Sequence, residues 1–209
     1  MPTPLEILTG LARIANDAIV VAILWHALLA IALLAAALGS PPSRRGTASA
    51  IALLPASVAT VALVYGNPLN GVVFAATACA LAVLGSRTPP SRTATGWERG
   101  LGSALLAYGW IYPHFVVGPP IVYLVASPVG LVPCPSLAVA IGLALLSGAG
   151  DRAWRWTLGT VAVAYALFGV LRLGVLLDLG LLVGALAICA STLEGRVPRT
   201  VSAAARSHA

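Results

Sequence analysis

Few side chains in this sequence can do chemistry, and the most conspicuous is Cys134, held between Pro133 and Pro135 where a long apolar run begins. Two roles are open to a thiol there. With Pro135 at the first helical position, Cys134 is a helix cap facing unsatisfied N–H groups and the positive end of the dipole. That setting favours a thiolate, suited to metal or redox chemistry. An apolar setting with no adjacent basic residue favours the opposite, a neutral thiol acting only as a cap. His114 follows Pro113 near the end of another apolar run, and His26 lies inside the first one. An imidazole at membrane depth either faces a cavity or partner, or caps and packs quietly. Together His26 and His114 are candidate ligands for a b-type haem, although nothing in their spacing favours it. His114 and Cys134 are the candidate metal ligands. Asp178 opens the last apolar run, where its charge meets the positive end of a helix.

The elements that must position these residues are membrane spans. Of the 209 residues 59% are hydrophobic and 9% charged, against roughly 25% charged in a soluble domain. Apolar runs recur along the chain, separated by short Pro, Gly and Arg punctuation. The expected fold is therefore all-α, a polytopic transmembrane helical bundle. Seven spans are expected at 18–38, 48–65, 70–86, 101–118, 134–148, 154–170 and 174–191. Residues 1–192 form a single transmembrane domain in this reading, and 193–209 a flexible basic cytoplasmic tail.

Charge placement sets the orientation. Arg44, Arg45, Arg87, Arg92, Arg99, Arg152, Arg155, Arg196, Arg199 and Arg206 fall on one side of this map, leaving Arg13 and Arg172 on the other. Arginine marks the cytoplasmic side, which puts the N-terminus outside and the C-terminus in the cytoplasm of a cell inner (plasma) membrane. Six spans would break the alternation. The net charge of +6 is thereby explained by topology rather than by nucleic acid. The N-terminus, with Glu6, Arg13 and Asp17, is unlike a signal peptide, and Arg13 and Asp17 are spaced to pair on one helix face.

The same threading gathers Tyr65, Asn67, Tyr112, His114, Cys134 and Asp178 at the outer face as a candidate pocket. Asn67 and Asn70 read as caps of a small turn. Trp110 and Tyr112 suit the aromatic belt, and Pro113 frees a backbone carbonyl that needs a new partner. Residues 118–133 form an uncharged, mostly apolar connection that lies in the interface, re-enters the bundle, or walls a pocket. The loops on the opposite side read as plain solvated connectors. Cys79 and Cys189 read as small packing residues.

Several chemistries are excluded. The chain has no lysine, so neither a retinal Schiff base nor a pyridoxal aldimine can form. No Cys-x-x-Cys, Gly-x-Ser-x-Gly or His-Glu-x-x-His motif is present. Three function classes stay open. One is a protein binding or passing a small solute or metal ion through an outward-facing pocket, which is the leading expectation. The others are a membrane-embedded thiol or haem redox enzyme, and an accessory or structural membrane subunit. The bilayer is the expected partner in each.

Four short stretches together resemble a family of bacterial multi-pass membrane proteins defined by a domain of unknown function. They are Asn67-Pro68 after the second span, Tyr112-Pro113 near the end of the fourth, Pro133-Cys134-Pro135-Ser136 opening the fifth, where the family has Pro-Cys-Pro-Thr, and Asp178-Leu179-Gly180-Leu181-Leu182 opening the last. The resemblance spans residues 10–190 and implies a helical membrane fold. It implies no catalytic residues.

Overall fold

The computed structural model describes residues 2–40, 43–86 and 93–193, without the side chains of Arg44 and Arg45. The basic tail expected at 193–209 lies outside the described residues beyond Leu193, as do Arg87 and Arg92. Among the described residues the chain is helical throughout, with no strand.

The order is α1 (Pro4–Asp17), α2 (Ile19–Ala37), α3 (Arg44–Val64), α4 (Pro68–Ser86), α5 (Gly96–Ile111), a 3-10 turn (Pro120–Val122), α6 (Tyr123–Ala126), α7 (Pro133–Ser147), α8 (Arg152–Leu167) and α9 (Asp178–Ala190). The last turn of α8 widens into a π-helical segment, Phe168–Arg172. Among the described residues four helices are long and apolar enough to cross a bilayer: α2, α3 from Gly46, α4, and α8 with its π-helical end. Such helices suggest a membrane protein. The helices α7 and α9 are apolar but shorter, at 15 and 13 residues, or about 22 and 20 Å at 1.5 Å per residue.

A helix stands at each expected span, although several boundaries are displaced: α3 and α5 start four and five residues early and α9 starts four residues late. The fourth was expected to run to residue 118, but α5 ends at Ile111. Pro113 cannot donate to the Gly109 carbonyl and the chain leaves the helix there. Polar side chains reach two of the freed carbonyls: Ser127 donates to Gly109 O at 3.2 Å, and His26 Nε2 lies 3.0 Å from Trp110 O. The fifth helix begins one residue earlier than expected. Val132 is its cap, Pro133 its first residue, and Cys134 sits inside the first turn.

At the centre stands α7, almost wholly buried and packed by α3, α5, α8 and α9. Its contact with α5 is backbone to backbone. A Cβ on Gly142 would lie 2.7 Å from Leu106 N, and one on Gly109 would lie 2.8 Å from Pro135 O. Small residues let helices approach this closely where water supplies no hydrophobic drive. Because protein surrounds α7, its length need not match a bilayer.

The connection before α7 resolves into two parts. Residues 120–125 are partly exposed helical turns, while Ala126–Pro133 is buried. Buried non-helical backbone must find partners, and side chains supply them. Ser57 donates to Gly130 O at 2.7 Å, and Gly130 N donates to Ser136 Oγ at 2.8 Å. Trp25 Nε1 donates to Ser57 at 2.9 Å, and its indole covers Gly130, whose positive φ of 77° leaves no room for a Cβ.

Helix α1 was not expected as an element of its own. It is strongly amphipathic, begins in a capping box between Thr3 and Glu6, and breaks from α2 at Ala18. The Thr3 backbone N–H and hydroxyl hold the Glu6 carboxyl below its ordinary pKa. Leu11, Ile14 and Ala15 pack on Val116, Leu131 and Val132, so α1 lies across the end of the bundle where α5 stops and α7 starts. Asn16 fastens it there, accepting from Val117 N at 2.9 Å and donating to Phe115 O at 2.9 Å.

Candidate functional site

Beneath α1, three side chains from three helices converge. Asp178, in the first turn of α9, is 2% exposed. Its Oδ1 accepts from the Tyr112 hydroxyl at 2.8 Å, and its Oδ2 accepts from the Cys134 thiol at 3.2 Å. Tyr112 is fully buried, edge-on to Tyr108 and stacked on Phe115. Tyr108 in turn donates to the Leu177 carbonyl beside the aspartate. Each element is stopped by a local device that delivers its residue. Pro113 ends α5 just beyond Tyr112. Pro133 starts α7 just before Cys134. The Gly174–Leu177 turn starts α9 at Asp178.

The π-helical segment makes room for the carboxylate. Gly169 lies directly against Asp178 Oδ2, and a Cβ there would overlap it. Val175 N donates to Gly169 O at 2.9 Å, tying the widened turn to the loop that leads into α9. Insertions of this kind in α-helices are frequent at functional sites.

A cavity of about 40 Å³ borders Cys134 and Asp178, with Asn70, Phe115, Tyr165 and Gly169 in its wall. It has room for about three water molecules or one small ion. Tyr165 donates to Asn70 Oδ1 at 2.8 Å across it. A wider cleft of about 520 Å³, bordered by Glu6, Arg13, Tyr65, Asn67 and Asn70, shares Ile7, Leu11, Asn70 and Phe168 with the small cavity. Among the described residues no salt bridge reaches Asp178; the two ion pairs are Arg13–Asp17 and Glu98–Arg155.

Of the six pocket residues read from the sequence, Tyr112 and Cys134 each donate a hydrogen bond to Asp178. Tyr65 and Asn67 border the wider cleft, where Asn67 Oδ1 also accepts from Asn70 N at 3.2 Å. His114 lies in the turn beyond α5, its ring 4.2 Å from that of Phe115, and borders neither cavity. The nitrogens of His26 face the carbonyls of Ala22 and Trp110 at 2.8 and 3.0 Å, so backbone occupies the positions a haem iron would need. No three His, Cys, Asp or Glu side chains converge among the described residues. Cys189 is buried against Gly159, while Cys79 lies on the exposed side of α4 rather than in a core.

Sequence reasoning missed two groups. Tyr165 gave no motif, and Asn70, read as a cap and pocket donor of its turn, gave no sign of the bond with Tyr165 that joins α4 to α8. At the opposite end the loops are not plain connectors, because Glu98 is 0% and Arg155 2% exposed. Arg155 Nη1 donates to Glu98 Oε1 at 3.0 Å and to Ser191 Oγ at 2.7 Å, and its Nε donates to Ala149 O at 3.1 Å. The Thr95-x-x-Glu98 capping box was the available signal for Glu98; nothing local distinguished Arg155 from its neighbour Arg152.

Fold and site together define a class: an all-helical protein, among its described residues, with four helices long and apolar enough to cross a membrane and a buried thiol–carboxylate–phenol cluster under an amphipathic helix. Comparison of the chain with family models, with curated proteins and with solved structures gives no match. The four short stretches Asn67-Pro68, Tyr112-Pro113, 133–136 and 178–182 lie at this end of the bundle. Three of the four contribute Tyr112, Cys134 and Asp178, and the fourth places Asn67 on the adjoining cleft.

Proposed function

We propose that this protein binds a small solute or metal ion, of positive charge, at Asp178 and passes it through the membrane. The observation that carries the reading is a buried carboxylate that no salt bridge reaches among the described residues, beside a cavity that shares walls with a wider cleft. A carboxylate at membrane depth is costly and marks an ion or substrate pathway by default. A cation in the cavity supplies the missing charge. The cavity's size argues for something no larger than a small ion with a few waters.

In the accompanying topology seven helices cross the inner membrane: α2, α3, α4, α5, α7, α8 and α9. The N-terminus is outside, the cleft opens outward, and α1 lies in the outer interface, as its amphipathic pattern suits. The arginine distribution supports this arrangement. The thiol-enzyme reading draws less support. The group that the Cys134 thiol bonds is the Asp178 carboxylate, and no histidine or basic side chain lines the cavity beside it.

The test uses the purified full chain and the same chain in liposomes. Metal ions and small organic cations are titrated calorimetrically, and flux is followed across the vesicle wall. At least one cation should bind to the parent and fail to bind Asp178→Asn. A panel that binds neither protein, or both equally, removes the reading.

A further inference from the structure

We infer that α1 is a hinged gate between the wide cleft and the Asp178 cavity, with Ile7 and Leu11 as its barrier and Asn16 as its latch. The inference deepens the ion-binding reading above and rests on it for what passes. The two spaces share Ile7, Leu11, Asn70 and Phe168 as walls. Ile7 and Leu11 stand one turn apart on one face of α1, and Phe168 opens the π-helical segment of α8. Asn70, the polar member, is already engaged: its Oδ1 accepts from Tyr165 and its N–H donates to Asn67. Three apolar side chains offer a hydrated ion no ligand, so such a constriction conducts only when its walls part.

Of the elements that form the barrier, α1 is the one free to move. Ala18, at φ −101° and ψ 22°, breaks the run between α1 and α2. Hinges are element-terminal residues of this kind, which absorb a change of backbone dihedrals. The Thr3–Glu6 capping box and the Arg13–Asp17 pair stay within α1 and its cap. Among the described residues only Asn16 hydrogen-bonds α1 to a distant part of the chain, at Phe115 and Val117. The remaining hold is the small apolar face on Val116, Leu131 and Val132.

The latch also grips a strained segment. Phe115, at φ 78°, is the one non-glycine residue of positive φ among the described residues. That conformation is an outlier for a bulky side chain and persists only where its surroundings hold it. Asn16 holds the Phe115 carbonyl and the Val117 N–H, while Phe115 itself walls the cavity and stacks on Tyr112. Lifting α1 therefore releases the latch, lets residues 115–117 relax, and parts two walls of the cavity together.

The test takes the full chain in detergent with Cys79→Ala and Cys189→Ala, so that Cys134 is the single thiol. Its modification by a charged methanethiosulfonate reagent is followed in time. Ile7→Ala combined with Leu11→Ala should raise the rate at least about tenfold, the effect of losing one apolar contact. A second chain, with Cys79→Ala and Cys134→Ser, keeps only Cys189, which is buried against Gly159. Its rate should not change with the same substitutions. Hydrogen exchange reads the motion: α1 and residues 115–117 should exchange together and faster than α7, and Asn16→Ala should speed both while leaving α7 unchanged. An unchanged Cys134 rate, an equal rise at Cys189, or exchange of α1 no faster than that of α7 overturns the gate. If cations bind in an Asp178-dependent way while the barrier variants change nothing, the gate falls and the ion-binding reading stands. If the gate opens as described but no cation binds, that reading falls and the gate guards a site of another kind.

Discussion

Among individual residues, Asp178 sets the character of the site, and its neighbours decide what it can do. A buried carboxylate is tolerable when donors reach it, and Tyr112 and Cys134 each provide one. Gly169 is the less obvious member, because only a residue without a side chain leaves the carboxylate its place. Gly169→Ala should cost about 1–3 kcal/mol, the usual range for overpacking, and should displace Asp178 from sulfur. Thermal unfolding should register it as a lowered unfolding temperature. The residue types and their end of the bundle were legible in the sequence, since threading alone grouped Tyr112, Cys134 and Asp178. Their mutual hydrogen bonds were not, because they join positions 112, 134 and 178 across three helices. His26 shows the same limit. Its place in a span was visible, but its partner, the Trp110 carbonyl freed by Pro113, is a property of another helix.

Among the elements, α1 and α7 govern access and framework. α1 covers the site through a small apolar face and the two hydrogen bonds of Asn16. Such bonds contribute about 1 kcal/mol each. In a chain carrying Cys79→Ala and Cys189→Ala, Asn16→Ala should therefore speed alkylation of Cys134 by about thirtyfold, since each 1.4 kcal/mol is tenfold in an equilibrium. An unchanged rate would show that α1 does not limit access. The central helix depends on glycine. Gly142→Val drives two methyl groups into the α5 backbone and should lower stability by about 1–3 kcal/mol or more, read as a fall in unfolding temperature. The apolar period announced each long helix. It could not announce α1 as a separate cover, because only its packing on residues 116, 131 and 132 distinguishes a cap from the start of a span.

Across the whole molecule, polar groups are buried at both ends of an otherwise apolar bundle. The site occupies one end, and the Glu98–Arg155 pair joins α5, α8 and the turn after α9 at the other. Removing one member of a buried pair leaves a charge without its partner and costs about 3–5 kcal/mol. Glu98→Leu and Arg155→Leu should each lower the unfolding temperature sharply, while the double variant should cost less than either alone. Orientation is testable as well. Reporters fused after residue 193 should be active only on the cytoplasmic side, and a tag ahead of α1 should be reached only from outside. The reverse result would invert the proposed topology.

What the sequence determined by itself follows from composition and period. Too little charge to coat a soluble surface, apolar runs of helical length, and prolines at their ends dictate helices suited to a membrane, and the helices stand where the runs are. The short turns between them also sort the polar residues to one end. Only the tertiary structure decided which of those residues touch. Cys134 could have been surrounded by leucine, and Arg155 could have been solvated like Arg152. The difference lies in which neighbouring helix faces each one, a long-range packing outcome that no local pattern encodes.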